Sequence, residues 1–423
     1  MITSSIVLLA AMLLGAPIAF AIAASALGYF LATNANLLVF PQQFIGQLGN
    51  IPLIAIPFFI LAGELMNCGG ITRRIFAFAL ACVGRIPGGL GHTNVVAGMI
   101  FAGMSGSAVA DLASLGKIGM KAMRDSHYPD DLSIGVITTT ATIGPIIPPS
   151  INMVIFGSIA NVPIGLLFLG GVIPGILTGL MIMLMFAFLF WRRKTKVKAA
   201  PQVPFWRTFR EGIWSLLTPV VLLGAMFSGL ATPTEAAILA TVYTLIVAGL
   251  IYRELTWAKV LEALMSTATL SGAIMLIIGF AAPLGYAISR SQVAGGLSEL
   301  LMASFQDPLM IMLAVAVLLL IVGCFMEVAA AIILLTPVLG VALISAGMDP
   351  VYIGVMMVYM LGIGLVTPPV GLCLYVGSQV SGIRLEKVIV AVWPFLIPLV
   401  VTMLLIIVFP QTITWLPQFV YSN

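Results

Sequence analysis

The sequence predicts an all-α polytopic membrane protein made of two inverted structural repeats, each with a re-entrant helical hairpin and a broken transmembrane helix. Three observations carry that expectation. Hydrophobic residues make up 61% of the 423 and charged residues only 8%, against roughly 25% charged in a soluble domain. The apolar runs are continuous rather than alternating, which favours helices over a barrel. Helix breakers in the first half recur in the second half at a constant shift of 220 positions.

The elements follow in order from apolar runs of about 20 residues, the length that crosses a bilayer. Residues 4–32 read as a retained first helix, because no basic start marks a signal peptide and many spans follow. Through-helices are then expected at 51–67, 166–190, 213–230, 236–252, 266–287 and 390–410, and broken ones at 132–161 and 351–381. Two stretches, about 88–116 and 308–345, contain Gly and Ser at mid-length and read as hairpins that enter and leave on one side. Residues 191–212 form a basic cytoplasmic linker. It separates a first repeat over 1–190 from a linking helix and second repeat over 213–423.

Charge placement supports both hairpins. Arg73, Arg74, Arg85, Lys117, Lys121, Arg124, the seven basic residues from Arg192 to Arg210, Arg253, Lys259, Arg384 and Lys387 fall on one face, leaving only Arg290 opposite. By the positive-inside rule that face is cytoplasmic, with the N-terminus on it and the C-terminus outside. Treating either hairpin as a single crossing scatters the charges. Cys68, Cys82, Cys324 and Cys373 show no paired spacing, so neither a disulfide framework nor a zinc site is expected.

The breakers are specific. Residues 143–157 read IGPIIPPSINMVIFG and residues 362–378 read GIGLVTPPVGLCLYVGS. At the shift of 220, Gly103 falls on Gly323 and Gly144 on Gly364. Pro148 and Pro149 fall on Pro368 and Pro369, and Gly157 and Ser158 on Gly377 and Ser378. A lone proline only kinks a helix. Paired prolines recurring in register remove several helix hydrogen bonds, and lipid cannot satisfy the freed carbonyls. Paired interrupted helices in inverted halves are the sequence pointer to a secondary transporter's site.

The first hairpin centres on AGMSGSAVADLASLG (102–116) and the second on GCFMEVAAAI (323–332). Small residues at a tip let the chain reverse. They also serve plain helix packing, but two inverted tips facing two breaks favour a binding role. Hydroxyls and carbonyls without a Cys/His cluster suit a hard monovalent cation, and Na⁺ is the natural candidate. One ion site is expected at Ser105, Gly106 and Ser107 with Thr142, Gly144 and Pro148. The other is expected at Gly323 and Glu327 with Gly364, Val366 and Thr367. An anionic substrate is expected between them on Ser105, Ser107, Pro149, Ser150, Asn152, Thr367 and Pro369. Asp111, just past the first tip, is ionisable at depth and counts as functional by default. Glu235 follows ATPT, where Thr232 or Thr234 is expected to cap a helix, and reads as a structural residue favouring its positive end; His92 reads as a packed or interfacial residue and His127 as part of a charged loop.

A channel would gather identical loops around an axis, and an intramembrane enzyme would need a nucleophile with a base. Neither pattern is present. GMSGSAVAD, ATIGPIIPPS, GLATPTEAA, ILLTPVL and GLVTPPVG resemble the large membrane subunit of tripartite ATP-independent periplasmic (TRAP) transporters, in order and over essentially the whole chain. The resemblance implies no enzyme but a Na⁺-driven importer of an organic acid in the bacterial inner membrane. Its partners would be a small four-helix membrane subunit and a periplasmic substrate-binding protein. Transport would follow an elevator mechanism, a transport domain with both hairpins moving against a scaffold. The competing expectation is a Na⁺/dicarboxylate symporter of related two-hairpin architecture that needs no binding protein.

Overall fold

The computed structural model describes every residue except Met1, 195–196, 199–202, 305–306 and 422–423, so the linker's Lys196 lies outside the described residues. Among the described residues every regular element is a helix. Eight helices are long and apolar enough to cross a membrane.

The first departure from expectation comes at once. Residues 4–32 form two helices, α1 (Ile2–Leu13) and α2 (Ile18–Ala32), separated at Gly15, whose φ is +78°. A continuous helix would set Ser4 and Ser25 about 31 Å apart at 1.5 Å per residue. Instead their hydroxyls lie 2.8 Å apart, and the Ser4 hydroxyl also donates to the Ser25 carbonyl at 2.9 Å. The chain has folded back on itself, because Gly15 supplies the left-handed turn and Pro17 starts a new helix. The count that put the N-terminus in the cytoplasm took this segment as one crossing, and two antiparallel helices do not provide it.

Next come α3 (Val39–Leu48), α4 (Ala55–Cys68) and α5 (Ile71–Val83). The first hairpin is α6 (Gly89–Ser105) and α7 (Ala108–Asp125), so its second arm runs nine residues past the expected end at 116. The first broken helix is α8 (Asp130–Thr140) and α9 (Ile151–Ala160), then α10 (Ile164–Arg192). Helix α11 (Phe205–Phe227) begins inside the stretch expected to be linker. Phe205 stacks on Phe209 with centroids 6.0 Å apart, so this amphipathic start belongs to the helix. Helix α12 (Pro233–Ile246) opens with a complete capping box: the Thr232 amide donates to Glu235 at 2.8 Å and the Glu235 amide to Thr232 at 3.3 Å. The expected cap is there.

Helix α13 (Trp257–Arg290) is 34 residues long and is followed by α14 (Val293–Ser304). The second hairpin is α15 (Pro308–Phe325) and α16 (Val328–Leu335), which continues through a π-helical turn into α17 (Val341–Ser345). The second broken helix is α18 (Pro350–Gly364) and α19 (Leu372–Ser381), then α20 (Leu385–Val408) and α21 (Gln411–Tyr421). The shift of 220 holds for element boundaries as well as residue types. Ser105 and Phe325 end the first arms, Ala108 and Val328 begin the second, and Asp130 and Pro350 open the broken helices.

The hairpins and broken helices form the interior. Helix α18 is buried along its whole length. Tyr359 at its centre is fully buried, 3.1 Å from the Thr178 hydroxyl of α10, and donates to the Leu399 carbonyl of α20 at 3.3 Å. Those bonds satisfy a phenol that burial would otherwise penalise. Helices α1 to α4 and α11 to α13 form a flank beside it, with α13 packed on α2, α3 and α4, and α4 also touching α6 and α9.

Candidate functional site

The two tips sit on the two breaks. At the first, α6 ends on Gly106 with φ +65°, and Ser107 returns to extended backbone. The Ser107 hydroxyl then accepts from the Ala110 amide at 3.5 Å, capping α7. Gly106 is needed for space as well as for its φ. A Cβ there would lie 2.9 Å from the Pro149 carbonyl oxygen and 3.0 Å from the Ile151 nitrogen. One turn earlier, a Cβ on Gly103 would lie 3.4 Å from the Pro148 oxygen, an ordinary contact.

The second tip is drawn more tightly. A Cβ on Gly323 would lie 2.7 Å from the Leu361 carbonyl oxygen and 3.1 Å from the Gly364 Cα. The Gly371 amide donates to the Cys324 carbonyl at 2.8 Å, and the Cys324 thiol lies 3.7 Å from the Pro368 carbonyl. Glu327 caps α16, its carboxylate accepting from the Ala329 amide at 2.7 Å and the Ala330 amide at 3.3 Å.

Several expected ligands have their hydroxyls engaged by nearby backbone. Thr142 donates to the Thr139 carbonyl and Thr367 to the Ile363 carbonyl, each at 2.8 Å. Ser150 caps α9, accepting from the Met153 amide at 3.3 Å. In the breaks, the carbonyls of Ile146 and Ile147 accept no hydrogen bond among the described residues. The same is true at the equivalent positions, Val366 and Thr367. Both breaks carry a cis proline peptide, Pro148–Pro149 and Pro368–Pro369.

The structure brings some of the expected residues together, and the two halves differ in one respect. Gly106 meets the Pro149–Ile151 segment, Gly103 the Pro148 carbonyl, and Gly323 meets Gly364. The breaks approach each other where a Cβ on Gly362 would lie 3.8 Å from the Thr142 carbonyl. Asn152 is buried inside α9. Pro149 is buried but Pro369 is exposed, so the two proline pairs are not equivalently placed.

One member was absent from the expected ion set. Asp111 is 4% exposed, accepts a hydrogen bond from the Ser105 hydroxyl, and turns its other oxygen toward Gly144. It therefore bridges the first tip and the first break, and no cation faces it among the described ion pairs. Its charge at depth was the available signal. The spacing of four residues from Ser107, one helical turn, would have placed it at the tip. Chemically, the arrangement offers hydroxyl, carbonyl and carboxylate oxygens around two reversals of chain, with no nucleophile–base pair.

The chain was also compared with known proteins. The description "Tripartite ATP-independent periplasmic transporter, DctM component" matches residues 5–412. The chain is 40% identical over 407 residues to the sialic acid TRAP transporter large permease protein SiaM of Vibrio cholerae, covering 96% of this chain and 95% of that one. It is 38% identical over 414 residues to the sialic acid TRAP transporter permease protein SiaT of Haemophilus influenzae, spanning 66% of that longer protein. Among solved structures, the YdaH transporter of Alcanivorax borkumensis, described as having an unusual topology, aligns with a TM-score of 0.67 at 16% identity over 89% of each chain. That likeness is one of fold.

Proposed function

The chain belongs to the DctM component family of tripartite ATP-independent periplasmic transporters, and from that premise we propose that it imports a small organic acid by Na⁺-coupled secondary transport. It is a multi-pass inner-membrane protein and a transporter rather than an enzyme. The substrate is a carboxylate such as sialic acid or a C4-dicarboxylate, delivered by a periplasmic binding protein. A separate small membrane subunit completes the assembly.

The observation that carries this reading is the seating of each hairpin tip on a broken helix, with Asp111 against both Ser105 and Gly144. A carboxylate buried without a cation is unfavourable by several kcal/mol. Na⁺ at the first tip, held by Ser105, Asp111 and break oxygens, offsets that charge. A second Na⁺ at Glu327, Val366 and Thr367 does the same at the other tip. With both cations bound, the region between the tips becomes attractive to an anion, and the half-helix N-termini of α7, α9, α16 and α19 add their positive ends. Substrate binding is thereby coupled to Na⁺.

For movement, we assign the hairpins and broken helices to a transport domain and the outer helices α1 to α4 and α11 to α13 to a scaffold. The two halves lie inverted in the membrane, the first hairpin opening to the cytoplasm and the second to the periplasm. With Arg73 and Arg74 cytoplasmic and α4 a single crossing, residues 33–50 are periplasmic. The fold-back of α1 on α2 then puts the N-terminus on the periplasmic face too.

The test is uptake of radiolabelled sialic acid and succinate into vesicles holding this chain with its small subunit and binding protein. Uptake should require an inward Na⁺ gradient and the binding protein. Uptake of equal rate with K⁺ replacing Na⁺ would overturn the coupling. Full Na⁺-driven uptake without the binding protein would instead support the two-hairpin symporter.

A further inference from the structure

Away from the tips, two clefts adjoin at the end that the basic residues mark as cytoplasmic. They share Ile86, Pro87 and Phe190. One, of about 440 Å³, lies between the α5–α6 turn and the Val197–Lys198 segment, with Arg85 and Lys198 on its rim. The other, of about 630 Å³, is an apolar trough floored by Ala187 and Phe190 and edged by Trp191, Arg192 and Lys194. Trp191 is 79% exposed, the placement of an interfacial aromatic.

These clefts are built rather than accidental. The Lys198 amide donates to the Ser126 carbonyl at 3.1 Å, holding that segment beside the first hairpin. Phe186 and Phe190 stack with centroids 6.1 Å apart, and His92 meets Phe186 edge-on at 5.4 Å. The charges are unspent. Arg124 pairs with Asp130 and Arg193 with Asp131, whereas Arg85, Arg192, Lys194 and Lys198 form no ion pair among the described residues. His92, which lines the trough, is 6% exposed, and its Nδ1 has no hydrogen-bond partner. The Pro87 carbonyl lies near this ring without completing a bond to that atom.

An apolar trough, an interfacial tryptophan and four cations without an ion pair among the described residues have one natural complement: an amphiphile with an anionic head. We propose that the paired clefts bind an anionic phospholipid of the cytoplasmic leaflet. Its phosphodiester sits among Arg85, Arg192, Lys194 and Lys198, and its acyl chain along Ala187 and Phe190. Basic pockets between helices on this side of a membrane select such headgroups, and the apolar length adds its own burial. Only the choice of leaflet rests on the orientation given above. Because Ile86 and Pro87 lead directly into the first arm of hairpin one, the bound lipid braces that arm against α10.

The test is native mass spectrometry of the purified full chain, with dioleoylphosphatidylglycerol, dioleoylphosphatidylethanolamine, oleate and inorganic phosphate as probes at equal concentration. Phosphatidylglycerol should be retained at least about tenfold over phosphatidylethanolamine, a difference of about 1.4 kcal/mol. Arg85→Gln, Arg192→Gln, Lys194→Gln and Lys198→Gln together should abolish that preference, while Arg207→Gln, outside the clefts, leaves it intact. All four are exposed, so a variant eluting as wild type is expected; the pair Arg85→Gln and Lys198→Gln should give about half the effect. Ala187→Phe fills the trough with the cations untouched and should lower retention of both lipids. Equal retention of the two lipids by wild type, or a preference surviving the fourfold change, would overturn the proposal. So would full retention in Ala187→Phe, displacement by phosphate alone, which marks a free-anion site, or displacement by oleate, which marks a fatty-acid site.

Discussion

The Gly371 amide donates a 2.8 Å hydrogen bond to the Cys324 carbonyl, tying the second broken helix to the second hairpin tip. No backbone bond of this kind joins the first tip to the first break among the described residues. Gly323 reinforces the asymmetry, since its Cα side faces backbone rather than a flexible side chain.

Gly323→Ala should therefore be severe and its counterpart Gly103→Ala mild. The first forces a Cβ to 2.7 Å from the Leu361 oxygen, the second only to 3.4 Å from the Pro148 oxygen. Overpacking costs about 1–3 kcal/mol, enough to pry tip from break. Na⁺-stimulated uptake should fall at least about tenfold in Gly323→Ala and stay within about twofold in Gly103→Ala. Equal behaviour of the two would show that tip seating does not limit transport.

Asp111→Asn keeps the shape and can still accept from Ser105 but removes the charge. If Asp111 is the countercharge for Na⁺, a loss of about 2.7 kcal/mol raises half-maximal Na⁺ about a hundredfold. Glu327→Gln retains an oxygen to cap α16, so folding should survive while its own site weakens. An unchanged Na⁺ dependence in Asp111→Asn, with the protein inserted, would remove Asp111 from the site.

Topology is open to direct labelling. In a cysteine-free background, single cysteines replacing Thr3 and Asn34 should react with a membrane-impermeant maleimide from the same side, the periplasmic one. A cysteine replacing Asp349 should react from that side too, and one replacing Glu386 from the cytoplasm. Labelling of positions 3 and 34 from opposite sides would restore a single first crossing.

Thr232 supplies the cap of α12 and belongs to neither tip nor break. Thr232→Ala should cost about 1 kcal/mol, seen as a lower melting temperature in detergent, with half-maximal Na⁺ unchanged. A shift in Na⁺ dependence would mean that the cap communicates with the tips.

Breakers, tips and the capping box were legible because each is written in residues with strong backbone preferences: Pro pairs, Gly at positive φ, and Thr followed three residues later by Glu. Hydropathy concealed other elements. Helices α1 and α2 merge into one apolar run, and the Gly15–Ala16–Pro17 turn is the only mark between them. Helices α3, α5, α14 and α21 are too short to stand out in a window sized for a crossing. The start of α11 reads as linker because Arg207, Arg210 and Glu211 dilute its apolar face. Asp111 was noticed for its charge but not joined to Gly144, since that contact depends on how α7 packs against a distant break.

Helix α13, with 34 residues, is about 51 Å long at 1.5 Å per residue, while a bilayer's hydrocarbon core is about 30 Å thick. The excess leaves it to lean, bend at Pro283, or extend beyond the acyl region. Trp257, 78% exposed at its first turn, favours the headgroup level and pins one end. Membrane thickness thus acts on this helix as a lever: thinner bilayers lay it flatter, thicker ones stand it upright. Because α13 packs on α2, α3 and α4, its lean is passed to all of them, and reconstitution in short- or long-chain lipids sets the posture of this whole flank.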